Sequence, residues 1–264
     1  MTKHWAVAAS AITVVAGMLA STPATGSGQA PSTSTYKSPR TPAGHPDLQG
    51  IWQAVNSAVW DIEDHPATLG IPAGLSIVEG GEIPYLPGAR PRRNDNYRNR
   101  QTADPESKCF WVGTPRIHYM PFPFEIVQTP GQVTVLYEYA HTTRYIYLTG
   151  RHPPGPISWY MGDSRARWEG DTLVVDVVHF ADTNWLDRSG NYHSENMHLV
   201  ERWTRLGPDH LMYEATIEDP TVFGRPWTIR FPLYRRIEPN AQLLEYECAS
   251  YLELEKDRRV GIRP

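Results

Sequence analysis

The chain has 264 residues, of which 24 are proline, 20 are glycine, nine are tryptophan and fourteen are tyrosine, and its formal net charge is −4. A slightly acidic chain lacks the basic excess that displaces counterions from nucleic acid, so a dedicated nucleic-acid binder is excluded. The 40% share of apolar residues excludes global disorder, and the frequent prolines exclude long helices, which leaves an aromatic-rich β protein.

The first 30 residues have the layout of a secretory signal peptide. Lys3 and His4 form a short polar start, residues 6–20 form an apolar run, and small and polar residues follow. A helix that spans a membrane needs about 20 apolar residues, which is more than this run provides. The segment therefore predicts export to the periplasm or the medium, without a membrane span.

Residues 31–123 hold 13 of the 24 prolines and show little periodicity, which predicts an extended proline-rich arm lying on the core. Within this arm, residues 48–52 form a short apolar piece that predicts one strand. Residues 90–100 contain five arginines interspersed with Asn and Tyr. This stretch predicts either a solvated loop or a patch for an anionic ligand or envelope polymer.

Cys109 and Cys248 are the two cysteines of the chain. In the oxidising compartment that export implies, two cysteines most simply pair, so we expect a Cys109–Cys248 disulfide. Two buried free thiols are the alternative, and a metal site is disfavoured because no CxxC spacing is present. The disulfide would tie the end of the arm to the final strand.

From residue 124 the pattern changes to short strands separated by turns. Turn signals at residues 130–131, 169–171 and 206–209 each separate two apolar stretches, as in β-hairpins. Consecutive hairpins build antiparallel neighbours, and closure of many strands into a barrel removes exposed edges. We therefore predict, for residues 124–264, an antiparallel meander that closes into a lipocalin-like β-barrel, with a β-sandwich as the alternative. The predicted strands are residues 124–128, 134–139, 144–148, 165–168, 172–180, 197–205, 211–217, 227–235 and 243–252.

Several motifs along the chain point to one protein family. They are PDLQGIW at residues 46–52, MGDS at 161–164, RWEGDTLVVD at 167–176, HSE at 193–195, HLVER at 198–202 and EDP at 218–220. Through these motifs the chain resembles an uncharacterised family of exported bacterial β-rich proteins over most of residues 40–250. The resemblance implies a secreted β-rich unit and carries over no activity.

Polar residues near the predicted strand ends form two candidate constellations. In the first, Asp163 precedes a strand, where a carboxylate suits a general base, and Arg167 suits an oxyanion. The alternative is that these residues are solvated or cap a tight hairpin. In the second, His193 and Glu195 share a face if their segment is extended. Such a histidine–carboxylate pair fits proton transfer, a structural role or metal binding, and these three roles stay open. The residues predicted to be catalytic are His141, Arg144, Asp163, His193 and Glu195.

Aromatic residues are predicted mostly to fill the core, and some to line a pocket in the barrel, because Trp and Tyr combine apolar area with a polar tip. No cofactor is predicted, and a divalent metal held by His and Glu is the disfavoured alternative. The expected partner is a small-molecule ligand or substrate. The residues predicted to bind it are Arg167, Trp159, Tyr160, Trp185 and His198.

Three functions fit these features. The first is an exported enzyme, an isomerase, lyase or hydrolase, that performs acid–base chemistry on an apolar or aromatic compound in a barrel pocket. The second is a non-catalytic periplasmic protein that binds a small ligand. The third is an envelope structural or interaction protein that uses the arginine-rich arm. Convergent polar groups in an enclosed pocket favour the first, an empty apolar pocket the second, and a packed interior the third.

Overall fold

A closed barrel of nine strands dominates the computed structural model, which describes residues 36–259, so the predicted signal peptide lies outside the described residues. The strands are β1 (Gly50–Ala54), β2 (Phe124–Thr129), β3 (Gln132–Tyr137), β4 (Thr143–Tyr147), β5 (Asp163–Glu169), β6 (Thr172–Val178), β7 (His198–Gly207), β8 (His210–Glu218) and β9 (Trp227–Arg235). The helical segments are α1 (Arg90–Ala103), the 3₁₀ helices Pro105–Lys108 and Arg116–Tyr119, and α2 (Cys248–Arg259). None of the helices in the described part of the chain has the length and apolar character needed to cross a bilayer.

Strand β1 closes the barrel. It pairs with β2, where Trp52 lies opposite Phe124, and with β9, where Trp52 lies opposite Arg235. The strand predicted within the arm is therefore part of the barrel wall. Adjacent strands are antiparallel except β4 and β5, which run parallel because the segment between them returns to the starting end of the sheet. The predicted barrel is confirmed, with one parallel pair in the expected meander, and the sandwich alternative is wrong.

Two helices occupy segments where the sequence predicted other structure. The arginine-rich stretch forms α1, and Pro91 stands in its first turn, where a missing N–H breaks no helical hydrogen bond. The predicted strand at residues 243–252 is wrong, because α2 begins at Cys248. Residues with high helix propensity fill α2, and Lys256 pairs with Glu253 one turn away.

The Cys109–Cys248 disulfide is present and joins residues 139 positions apart in the chain. Cys109 follows the first 3₁₀ helix as its C-cap, and Cys248 begins α2. The predicted pairing is confirmed, although it ties the arm to a helix instead of a final strand.

Side chains fill the interior of the barrel. On β7 buried residues alternate with partly exposed ones, as expected for a strand with one face on the core. The second 3₁₀ helix brings His118 into the interior, where its ring contacts Phe124, Tyr137, Trp203 and Tyr213 from four strands. These five side chains are at most 4% exposed. A packed interior is the observation expected for the third function, that of an envelope structural or interaction protein.

Candidate functional site

Arg144, one of the predicted catalytic residues, lies inside the barrel in a buried polar network. Its guanidinium donates two hydrogen bonds to Glu201, at 3.1 and 2.6 Å, and two to Ser164 Oγ, at 3.0 and 2.9 Å. Tyr213 donates to the same carboxylate at 2.7 Å. Burial opposes ionisation of Glu201, but the Arg144 guanidinium outweighs it and lowers the pKa of this carboxyl. The network therefore pairs the buried charge of Arg144 with Glu201 and commits its guanidinium to partners inside the barrel.

His118 completes this network as a neutral side chain. Its Nε2 atom lies 2.8 Å from the hydroxyl of Tyr137. Its Nδ1 atom, which has no hydrogen-bond partner among the described residues, lies 3.7 Å from Glu201 Oε1. Burial lowers the pKa of His118 to about 3. The ring therefore stays uncharged at neutral pH. Its neighbours are aromatic side chains, which favour a neutral imidazole over a charged one.

The other predicted catalytic residues do not converge with Arg144. His141 is exposed and pairs with Glu247 at 3.0 Å. His193 is buried against Phe180, its Nδ1 lies 2.9 Å from a backbone carbonyl, and burial lowers its pKa. Glu195 is exposed to solvent. The structure therefore gives these side chains separate partners: Arg144 and His193 are buried in different surroundings, whereas His141 and Glu195 are exposed.

The structure does bring Asp163 and His198 close together, on the outer face of the barrel. Arg165 donates two hydrogen bonds to Asp163, at 2.8 and 2.9 Å, and His152 Nδ1 lies 2.6 Å from the same carboxylate. On the other side, His152 Nε2 and His198 Nε2 lie 3.3 and 3.0 Å from Asp176 Oδ1. Burial opposes ionisation of Asp163, but Arg165 and then His152 lower its pKa. Within residues 36–256, no group of three or more His, Cys, Asp or Glu side chains is placed to hold a metal ion.

The residues predicted to bind a ligand are dispersed as well. Arg167 points outward and pairs with Glu169, and Trp159 is exposed at the surface. Tyr160 contacts the rings of Phe110 and Trp111, whereas Trp185 is buried. His198 lies on the outer face of the barrel, next to Asp176.

A cleft of about 780 Å³ lies between two segments of the arm, beside the loop that precedes β7. One wall comes from residues 60–71, the other from the end of α1 and the following 3₁₀ helix, and residues 188–189 complete it. Its surface is predominantly apolar, with charged groups at several points. The residues that define the cleft are Trp60, Asp61, His65, Pro66, Thr68, Leu69, Gly70, Ile71, Tyr97, Arg100, Gln101, Asp104, Glu106, Ser107, Arg188 and Ser189.

Ion pairs hold the α1 side of the cleft in place. Arg188 donates two hydrogen bonds to Glu106, at 2.8 and 2.5 Å, and its guanidinium lies 4.3 Å from the ring centroid of Trp60. Behind them, buried Arg116 pairs with Asp104 at 2.9 Å and also with Glu106. Burial opposes ionisation of Glu106, but Arg188 and Arg116 lower its pKa. Two carboxylates of the cleft are thus neutralised by partners of the chain itself.

A pair of carboxyl groups stands at the opposite wall. Asp61 faces the cleft, with Arg93 at 3.7 Å, and Asp187 lies fully buried behind it. Asp187 accepts hydrogen bonds from the backbone N–H groups of Ile62 at 3.0 Å and of Ser189 at 2.9 Å. Despite these bonds, burial and the neighbouring Asp61 carboxylate raise the pKa of Asp187 to about 7. The two carboxyl groups of this wall therefore ionise together less readily than two separated carboxyl groups would.

Sequence reasoning missed the cleft because three distant segments build it. Trp60 and Asp61 lie in the proline-rich part, Tyr97 lies on a helix that was not predicted, and Arg188 follows more than 80 positions later. No local period connects them. The one sequence feature that pointed to the cleft was the group of five arginines at residues 90–100. Arg100 lines the cleft, and Arg93 pairs with Asp61 in its wall.

Comparison with known proteins matched no family model, no curated protein and no solved structure. The resemblance to exported bacterial β-rich proteins therefore stays a prediction, and the function has to be argued from the chain's own geometry.

Proposed function

We propose that this chain is an exported protein that binds a small ligand with an apolar or aromatic body, and that the ligand occupies the cleft. The observation that carries the proposal is the cleft itself, whose volume of about 780 Å³ falls within the range typical of small-molecule sites. Its walls combine the apolar surface of Trp60 and Ile71 with a few charged groups, which is the composition that such sites share.

The state of the barrel interior supports this location. A lipocalin-like barrel holds its ligand inside when the interior is open, but here aromatic rings and the Arg144–Glu201 pair occupy it. A ligand there would have to displace buried, hydrogen-bonded side chains. The cleft needs no such displacement.

Binding accounts for the cleft better than catalysis does. Asp104 and Glu106 are committed to guanidinium groups, so neither is free to transfer a proton. The Cys109–Cys248 disulfide supports the exported location, because disulfides persist in oxidising compartments. Export and ligand binding together correspond to a periplasmic or secreted binding protein.

Fluorescence titration with the neutral dye phenylnaphthylamine tests this proposal. We expect the dye to bind with a blue-shifted emission, because it loses water contact against the cleft walls. In Ile71→Ser, loss of part of one apolar contact should weaken binding by about 1–2 kcal/mol, or roughly 5- to 30-fold. Leu75→Ser is the matched control, since Leu75 is exposed on the same segment and lies outside the cleft. Equal affinity in the two variants would refute the proposal.

Acid–base catalysis in the cleft is the second candidate function, and the Asp61–Asp187 pair favours it. A carboxyl whose pKa is raised to about 7 can exchange a proton near neutral pH, and Asp61 stands between Asp187 and the cleft. Deuterium exchange from solvent into a panel of carbonyl compounds tests it. Exchange should disappear in Asp61→Asn. It should persist in the control Asp95→Asn, which removes an exposed carboxylate of α1. If the wild-type protein shows no exchange, acid–base catalysis in the cleft is refuted.

A further inference from the structure

The charges around the cleft are unequal. Each carboxylate that lines it has a guanidinium partner: Arg93 lies beside Asp61, Arg116 beside Asp104, and Arg188 beside Glu106. Their negative charges are therefore compensated before any ligand arrives. Among the groups that face the cleft, Arg100 carries the positive charge that these ion pairs do not compensate.

Arg100 lies in the last turn of α1 and lines the cleft. Its NH1 atom donates to the backbone carbonyl of Tyr97 at 2.7 Å, and its guanidinium lies 4.1 Å from the centroid of the Tyr97 ring. No carboxylate in residues 36–256 forms an ion pair with it, and its Nε and NH2 atoms have no hydrogen-bond acceptor in that part of the chain. The side chain is thus held in place while two donors remain available.

A guanidinium held in this way suits one class of ligand. Its planar donors match the oxygens of a carboxylate, sulfonate or phosphate, and hydrogen bonds to such charged groups are stronger than those to neutral ones. The Tyr97 ring supports one face of the guanidinium and restricts its rotation, so less conformational freedom is lost when an anion binds. The apolar walls formed by Trp60 and Ile71 lie in the same cleft.

We infer that the cleft selects small organic anions, with an apolar or aromatic body against its walls and an anionic group hydrogen-bonded to Arg100. This inference rests on the proposed function, because it names the ligand class of the same cleft. The anion pairs with Nε and NH2 of Arg100, and the carboxylates of the cleft do not repel it strongly because each is already neutralised. Neutral compounds of the same shape bind more weakly.

Two dyes that differ by one group test the inference. Phenylnaphthylamine is neutral, and anilinonaphthalenesulfonate is the same framework with one sulfonate. In the wild-type protein we expect the sulfonate to bind more tightly, and its affinity to fall with added salt while that of the neutral dye does not. In Arg100→Gln, we expect affinity for the sulfonate to fall about tenfold or more and affinity for the neutral dye to stay within about twofold.

Arg98→Gln is the matched control. Arg98 lies on the same helix, is exposed, pairs with Asp95 and lies outside the cleft, so this variant loses the same net charge without losing the site. We expect both dyes to bind it as they bind the wild type. Arg100→Lys, which keeps the charge and loses the planar fork, should bind the sulfonate with intermediate affinity. Thermal unfolding of each variant checks that the fold is retained.

The outcomes separate the two proposals. If both dyes bind the wild type and Arg100→Gln leaves the ratio of their affinities unchanged, the anion inference is overturned and ligand binding in the cleft stands. If Arg98→Gln lowers the sulfonate affinity as much as Arg100→Gln does, the effect is one of net charge and the inference also fails. If neither dye binds the wild type, both proposals fall.

Discussion

His118 stands neutral inside the barrel, and this position makes the stability of the fold depend on pH. Its pKa is about 3 in the folded state, where burial dominates, and about 6.5 in an unfolded chain. Below pH 6.5 the unfolded state therefore binds a proton that the folded state does not, and the free energy of unfolding falls as the pH drops. Between about pH 7.5 and about pH 5 the loss from this residue amounts to about 2 kcal/mol.

Urea unfolding followed by tryptophan fluorescence at these two pH values measures the loss. In His118→Gln, whose amide can still pair with the Tyr137 hydroxyl, the difference between the two pH values should shrink by about 2 kcal/mol even if overall stability is lower. His210→Gln is the control, because it removes an exposed histidine and keeps His118, so the loss caused by His118 should remain. His193, whose pKa burial also lowers, acts in the same direction in all three proteins and cancels in the comparison.

An unchanged pH difference in His118→Gln would show that another group controls acid sensitivity. A second measurement addresses the same point without a substitution. Histidine NMR of the wild type should show the His118 ring neutral down to about pH 4, since its pKa lies near 3. An imidazolium signal for this ring at about pH 6 would refute the reasoning, because the buried site would then accept the charge.

Two further predictions concern stability. Glu201→Gln leaves the Arg144 guanidinium buried without its counter-ion, so the free energy of unfolding should drop by about 3–5 kcal/mol. The control Glu218→Gln, which changes an exposed side chain, should alter the free energy of unfolding by less than about 0.5 kcal/mol. Similar urea unfolding curves for the two variants would contradict this. Replacing Cys109 and Cys248 by serine opens a link across 139 residues and should lower stability by about 2–5 kcal/mol in thermal or urea unfolding, and an unaltered midpoint would argue against a stabilising role for the link.

Local patterns in the sequence were sufficient for most strands. The turn at residues 169–171 separates β5 from β6, and the turn at residues 206–209 overlaps the connection between β7 and β8, as the alternation predicted. Such signals work because each hairpin is formed by neighbours in the chain. The pairing of Cys109 with Cys248 could also be predicted, since a chain with two cysteines in an oxidising compartment has one way to pair them internally.

Local patterns failed where the chain lacks a periodic apolar face. Helix α1 buries none of its residues fully, so the hydrophobic periodicity that usually reveals a helix is absent. The strand predicted at residues 243–252 overlaps the start of α2, where strong helix formers such as Glu253 and Lys256 favour the helix. The candidate site depended on the first of these failures, because the cleft wall at Tyr97 and Arg100 exists only once α1 is formed.

The sequence by itself determined the class of fold, the strand-rich region from residue 124 and the disulfide partners, because these follow from alternation, turns and residue type near each position. The tertiary structure alone decided that β1 closes the barrel, that the interior is filled, and that Trp60, Tyr97 and Arg188 meet at one cleft. These features depend on contacts between segments far apart in the chain. No local pattern records such contacts, because burial and charge pairing are properties of the assembled surfaces.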